Sequence, residues 1–204
     1  MSVAVASVEK INALKTGIEA TTGESYNDLT EAVQDLKNGY GQSSGGGSDE
    51  TLKAAIEGGA EEITLPNSIS KIGAYKFYGD KTLKNIQAAG ITSIGDSAFY
   101  GCSSLALTEL PAGLTSIEQS AFNDCSSLAL TELPAGLTSI GESAFASCSG
   151  LTAITFKGKP TIGKTTFRYC GKITTINVPW AEGEVANAPW GATNATINYN
   201  YTGA

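Results

Sequence analysis

The sequence predicts an α/β repeat solenoid, and three observations carry the prediction. Residues 102–117 and 125–140 both read CSSLALTELPAGLTSI, identical over sixteen positions. Around that pair a Phe recurs at Phe77, Phe99, Phe122, Phe145 and Phe167, in steps of 22, 23, 23 and 22. An Ile stands five residues ahead of each one, at Ile72, Ile94, Ile117, Ile140 and Ile162. Charged residues make up only 16% of the chain while 24 of its 204 residues are Gly, a composition of turns and short strands rather than of a helical bundle. Apolar positions locked to such a period mark stacked units, none of which can bury its apolar face alone.

Taken from the N-terminus, residues 1–40 predict two short amphipathic helices. Val8, Ile11, Leu14 and Ile18 fall at helical spacing after Ser7 as N-cap, and Gly23 stops the helix. Leu29, Val33, Leu36 and Tyr40 form the stripe of the second, which ends at Gly39 and Gly41. Such a hairpin can pack on itself or serve as an oligomerisation or docking handle. Helices this short are marginal alone in water, which favours the handle, with Ile11, Leu14, Ile18, Leu29, Val33 and Leu36 as its contact residues. Residues 41–48, GQSSGGGS, are a flexible linker spanning roughly 15 Å by coil scaling. Residues 49–59 open on Asp49 as N-cap and close on Gly58–Gly59, a short helix placed to cover the first repeat.

Repeats fill residues 60–178 at 60–82, 83–104, 105–127, 128–150 and 151–172, with a degenerate sixth from 173. Each opens on a strand: EITLP, KNIQA, LTELP, LTELP, AITFK and TINVP. Alternation turns Ile63/Leu65, Ile154/Phe156 and Ile176/Val178 inward, and sets Glu109 and Glu132 outward in phase with Thr64, Gln87, Thr155 and Asn177. Pro66, Pro111, Pro134 and Pro179 end these strands where pairing should stop. A second extended piece, ITSIG or LTSIG, carries the Ile of each copy inward. The Ser-Ala-Phe segment is then expected to form a tight helical or 3₁₀ corner.

The pattern ITSIGDSAFYGCSSL at 91–105, kept in phase through five copies, closely resembles the BspA-like class of leucine-rich repeat. That resemblance implies a right-handed leucine-rich-repeat solenoid with a parallel sheet on one face, working by adhesion. Thr108 and Thr131 depart from it where the family carries Ile, and Asp80 stands where later copies have Cys. The segments INALKTGIEATTGESYNDLTEAVQDLKNGYG and VPWAEGEVANAPWGATNATINYNYTG, with the helix–linker–repeat layout, resemble prophage-encoded structural proteins of gut Gram-positive bacteria.

In the tail, residues 179–204, Trp180 and Trp190 each follow a Pro, and Ile197, Tyr199 and Tyr201 alternate as a strand. The two Trp either cover the open end of the solenoid, as terminal units must, or form aromatic platforms for a sugar ring. Capping is the stronger reading. Cys102, Cys125, Cys148 and Cys170 lie one per repeat at matched phase and so stack rather than converge. Free buried Cys packs as a small hydrophobe, which favours structural thiols over disulfides.

Several function classes fall away. A net charge of −7 supplies no basic stripe for nucleic acid or anionic membrane, and the longest apolar run is too short to cross a bilayer. The sequence contains no His, no activated Ser and no paired Cys-x-x-Cys, so neither an enzyme nor a metal site nor a cofactor is expected. What remains is surface. One candidate binding row is Glu62, Thr64, Asn85, Gln87, Leu107, Glu109, Leu130, Glu132, Thr155 and Asn177. Leu107 and Leu130 either form an exposed apolar pair or tuck inward at a bulge compensating for Thr108 and Thr131. An opposite row, Thr92, Thr115 and Thr138 with Ser93, Ser116 and Ser139, is flat and rich in hydroxyls.

The expectation is a non-enzymatic recognition protein binding protein or glycan on a cell surface. It is a homo-oligomer, or docks on a partner, through residues 1–40. The opening MSVAVASVEKINALK lacks a basic n-region, so no secretory signal is expected in it and the preferred picture is a virion or prophage surface component assembled in the bacterial cytoplasm. The rivals are a bacterial surface adhesin binding host matrix proteins, which needs a signal sequence ahead of residue 1, and an architectural subunit whose solenoids stack end to end.

Overall fold

The computed structural model describes residues 59–203. The expected hairpin over 1–40, the linker at 41–48 and all but the last residue of the capping helix lie outside them. Eleven short strands follow: β1 (Glu62–Thr64), β2 (Lys71–Ile72), β3 (Asn85–Gln87), β4 (Ser93–Ile94), β5 (Ser116–Ile117), β6 (Glu132–Leu133), β7 (Ser139–Ile140), β8 (Ala153–Phe156), β9 (Thr161–Ile162), β10 (Thr175–Asn177) and β11 (Thr196–Asn198). Every pairing among them is parallel, and every partner lies about one repeat away in sequence.

The chain coils into a parallel β-solenoid with sheets on two faces, where the resemblance implied one. The second extended piece of each repeat builds a continuous five-stranded sheet, β2-β4-β5-β7-β9. Its register sets Ile72, Ile94, Ile117, Ile140 and Ile162 side by side, one buried Ile per coil. Two residues per strand suffice, because one faces the core, one faces out, and the neighbouring coils supply the hydrogen bonds.

The face built from the first strands is interrupted. β1 and β3 pair with each other, β6, β8, β10 and β11 form a second sheet, and the third copy contributes no strand between them. Copies three and four also bury different residues from those alternation predicts. Leu107 and Leu130 are buried along with Leu110 and Leu133, while Thr108 and Thr131 are exposed. The inward tuck is thus the outcome, and Leu107 and Leu130 leave the candidate binding row. The cause is local. Thr occupies the slot of Ile63, Ile86, Ile154 and Ile176, and a Leu one position earlier enters the core in its place.

The third side is made of turns, not of the helical or 3₁₀ corner expected; the described residues contain no helix. Two residues ahead of the Phe, Tyr75, Ser97, Ser120 and Ser143 take φ between 51° and 58°. Two residues after it, Gly79, Gly101, Asp124, Ser147 and Tyr169 are again left-handed. These kinks flatten the corner so that its peptide groups point along the axis. Phe77, Phe99 and Phe122 N–H donate to the carbonyls of Ala98, Ala121 and Ala144 in the next coil, at 2.7–2.8 Å. Inside, the five Phe rings stack face to face with centroids 5.0, 5.1, 5.3 and 5.7 Å apart.

Beside the rings run the thiols. Cys102, Cys125, Cys148 and Cys170 are all buried and free, and each Sγ donates to the carbonyl of the Phe one coil back, at 2.9–3.0 Å. The sixth copy keeps its first strand, β10, with Ile173, Ile176 and Val178 in the core, and loses the rest of the motif.

Candidate recognition surface

The outward side chains of the interrupted face form one row along the axis. Register places Thr64 beside Gln87, Glu132 beside Thr155, Thr155 beside Asn177 and Asn177 beside Asn198. Glu109 holds the same phase in the third copy. Glu62, Thr64, Gln87, Glu109 and Glu132 are exposed, and Asn85, Thr155 and Asn177 are half-buried. The structure therefore brings eight of the ten expected row residues to one face.

The two halves of the row differ. Towards the C-terminus the groups satisfy one another. Asn177 Nδ2 donates to Thr155 Oγ1 at 3.1 Å, Asn198 Nδ2 donates to Asn177 Oδ1 at 2.8 Å, and Lys157 Nζ lies 3.0 Å from Glu132 Oε1. Towards the N-terminus, the side chains of Gln87 and Glu109 have no partner among the described residues. These two bracket the break in the sheet, and there a groove of about 840 Å³ opens between residues 84–89 and 106–113.

The groove has a cause in the sequence. The position filled by Leu65, Leu110, Leu133, Phe156 and Val178 in other copies is Ala88 in the second, and the strand-ending Pro of four copies is Ala89. Small side chains there leave the space open.

The hydroxyl-rich face offers less. Thr92, Thr115, Thr138 and Thr161 each turn Oγ1 back to donate to a carbonyl one coil earlier, at 2.8–3.2 Å, and Ser116 Oγ donates to Ser93 Oγ at 3.0 Å. These groups are spent on holding coils together.

The aromatic-platform reading of the two Trp is corrected. Trp190 is fully buried and Trp180 nearly so, packed edge to face at 6.3 Å, with Phe156 5.4 Å from Trp180. Trp190 Nε1 donates to the Ala186 carbonyl at 2.8 Å, and the Trp190 carbonyl accepts from Phe167 N–H. Neither ring offers a face to a sugar, because both fill the end of the core that the lost sixth motif would have closed. Exposed aromatics lie elsewhere. Tyr78 and Tyr100 follow the ladder Phe in copies one and two and stack at 5.0 Å, with Tyr78 55% exposed. Arg168 sits 4.6 Å over the Tyr169 ring. A Tyr recurring one residue after the Phe was the available signal for the stacked pair.

Burial pushes the thiols up: Cys102 to about 12, with the Asp80 carboxylate adding to it, and Cys170 to about 11. Cys125 and Cys148 are raised as well, again by burial first and then by neighbouring thiols. Protonated and enclosed, these are neither nucleophiles nor metal ligands. Among the described residues no cluster of His, Cys, Asp or Glu could hold a metal ion, and no helix is long and apolar enough to cross a membrane.

A parallel solenoid whose coils are held by leucines and stacked Phe, and whose variable groups all lie on its outer faces, is a leucine-rich-repeat protein of the binding kind. A family model described as a BspA type leucine rich repeat region, in six copies, matches residues 57–174, and the chain belongs to that family. It is similar to the crystal structure of the leucine-rich-repeat protein TpLRR of T. pallidum, at 29% identity over 70% of this chain and 71% of that one, with a TM-score of 0.58. It also matches a leucine-rich-repeat protein from Bacteroides ovatus (23% identity, 57% of this chain and 39% of that one, TM-score 0.42). The pneumococcal vaccine antigen PcpA matches at 23% identity over 68% of this chain and 41% of that one, again with a TM-score of 0.42. No curated protein sequence matches the chain.

Proposed function

We propose that this protein recognises a partner protein on a cell surface through the N-terminal half of the interrupted face. The observation that carries the reading is the contrast along one row: polar groups pair with one another from Glu132 onwards, whereas Gln87 and Glu109 stand unpaired over a groove. Polar side chains set over buried leucines and left without partners are arranged to meet something else. The acidic balance of the whole chain favours a basic partner.

Its setting is a virion or other extracellular surface, with residues 1–40 as the assembly handle and Ile11, Leu14, Ile18, Leu29, Val33 and Leu36 as its contacts. What supports the virion is the resemblance of both ends of the chain to prophage structural proteins. What supports a bacterial surface adhesin instead is membership of the BspA-type family. The decisive experiment measures adhesion of the fluorescently labelled full chain to bacterial and epithelial cells. Glu109→Ala with Gln87→Ala is expected to weaken it at least about tenfold, while Thr115→Ala with Thr138→Ala on the hydroxyl face leaves it unchanged. The opposite pattern would move the site to the other sheet, and equal adhesion by all variants would overturn the reading. Light scattering tests the handle: Leu14→Asp with Leu36→Asp should reduce an oligomer to a monomer.

A further inference from the structure

The groove has backbone as well as side chains on its walls. β3 pairs with β1 through the peptide groups of Asn85 and Gln87: Asn85 N–H donates to Glu61 O at 3.1 Å, and Gln87 O accepts from Leu65 N–H at 2.8 Å. Alternate residues of a strand in a parallel sheet direct their peptide groups to opposite neighbours, so the N–H and C=O of Ile86 face the third copy. Pairing with that copy begins, since Ala106 N–H donates to Lys84 O at 2.9 Å, and then stops. No backbone bond from Ile86 to residues 107–110 follows it among the described residues. Between the third and fourth copies Ala129 N–H likewise donates to Leu107 O at 3.0 Å, and no further bond follows along that strand.

The fourth copy shows that this sequence is able to pair. It carries the same LALTELP, yet it forms β6, with Thr155 N–H donating to Thr131 O at 2.8 Å and Lys157 N–H to Leu133 O at 3.1 Å. Its Glu132 meets Lys157, a cation in the adjacent coil. The third copy has the same carboxylate, left unpaired, and past Leu107 its backbone through Leu110 makes no bond to either neighbouring coil among the described residues. What the fourth copy receives from its neighbour is an extended strand and a basic side chain.

We infer that the groove between β3 and the third copy takes an extended segment of a partner protein, seated as an added strand along the Ile86 edge with a Lys or Arg side chain against Glu109. The inference rests on the reading of this face as the recognition surface and names what that surface takes. An open strand edge is a template for another chain, main-chain bonds supply affinity, and side-chain pockets supply selectivity. Ala88 and Ala89 leave room for the added backbone, and Glu109 is the free counter-charge.

The experiment pans a yeast-displayed library of random peptides of about twelve residues against the full chain. Selected peptides are expected to carry a central Lys or Arg and no central Pro. N-methylation at alternate residues should weaken a selected peptide about tenfold per position, with the intervening positions tolerant, because only every second amide faces the protein edge. Glu109→Gln should cost a similar factor, and Ala88→Leu, which fills the buried floor of the groove with the core side chain of other copies, should abolish binding while circular dichroism stays unchanged. Failure to select any peptide would overturn the inference, as would peptides indifferent to N-methylation or to Ala88→Leu. Amide exchange of the free protein supplies a test needing no ligand. Ile86 N–H should exchange roughly a hundredfold faster than Gln87 N–H, and equal protection of the two would overturn the inference. Cell adhesion that depends on Glu109 alongside any of these failures would leave the recognition surface standing and remove only the strand.

Discussion

Phe122→Ala probes the axis of the molecule. The ring is fully buried, stacked on Phe99 at 5.1 Å and on Phe145 at 5.3 Å, and its own carbonyl accepts the Cys148 thiol. Truncation removes the transfer free energy of the ring and leaves a cavity that the backbone cannot close, since neighbouring coils are tied by hydrogen bonds on either side. Core Phe→Ala changes cost about 3–5 kcal/mol, and two lost ring pairs at about 0.5–1.5 kcal/mol each place this one at the upper end. Phe77 ends the stack with one ring neighbour at 5.0 Å, so Phe77→Ala should cost about 1 kcal/mol less. Urea unfolding followed by far-ultraviolet circular dichroism reads both, with the slope of the transition checked to stay constant so that midpoints convert to free energies. A loss below about 1 kcal/mol for Phe122→Ala would mean that the ring column does not hold the coils together.

The thiols ionise above their ordinary value of 9.0 in the folded chain, so their stabilisation is whole below about pH 9 and is lost as pH climbs toward the folded values. With the unfolded thiols ionised and the folded ones not, each lowers stability by about 1.4 kcal/mol per pH unit. Alkaline urea titrations should therefore steepen above pH 9, and Cys125→Ala should remove about a quarter of the thiol contribution; an unchanged slope would refute it. Gly191→Ala should destabilise by at least about 1–2 kcal/mol, because Gly191 has φ +89° and an added Cβ would stand 2.9 Å from Arg168 N, whereas Gly171→Ala, with nothing within 4 Å, should be nearly neutral by thermal melting. Lys157→Ala should change stability by less than about 1 kcal/mol, since the pair with Glu132 is half exposed to solvent, and a larger loss would mean that β6 depends on that charge.

The core was legible because it is written in phase. Ile72 to Ile162, Phe77 to Phe167 and Cys102 to Cys170 recur at one step, and side chains at one step in a solenoid must touch. The row from Thr64 to Asn177 was legible for the same reason. Leu107 and Leu130 stayed ambiguous because two apolar residues compete for one slot beside Thr108 and Thr131, and alternation alone does not decide between them. The shape of the corner was not legible, because Ser97, Ser120 and Ser143 are not Gly and nothing local announces their left-handed backbone; hydrogen bonds to the next coil impose it. The break in the sheet was beyond any local reading. Copies three and four are identical over their first thirteen residues and differ in pairing, so the difference resides in their neighbours: Ala88 and Ala89 before one, the β8 strand after the other.

Hydrogen bonds on the turn side and on both sheet faces run from one coil to the next, parallel to the long axis. A load drawn along that axis would meet these bonds in series, one coil at a time, rather than sharing it among many in shear. Each coil that lets go would release 22–23 residues, which adds about 75 Å of chain at extended spacing. A molecule held through the chain ahead of its first coil and gripping a partner at the groove would load only the coils between those two points, which would lengthen it in one or two steps under drag while the coils beyond the groove stay wound.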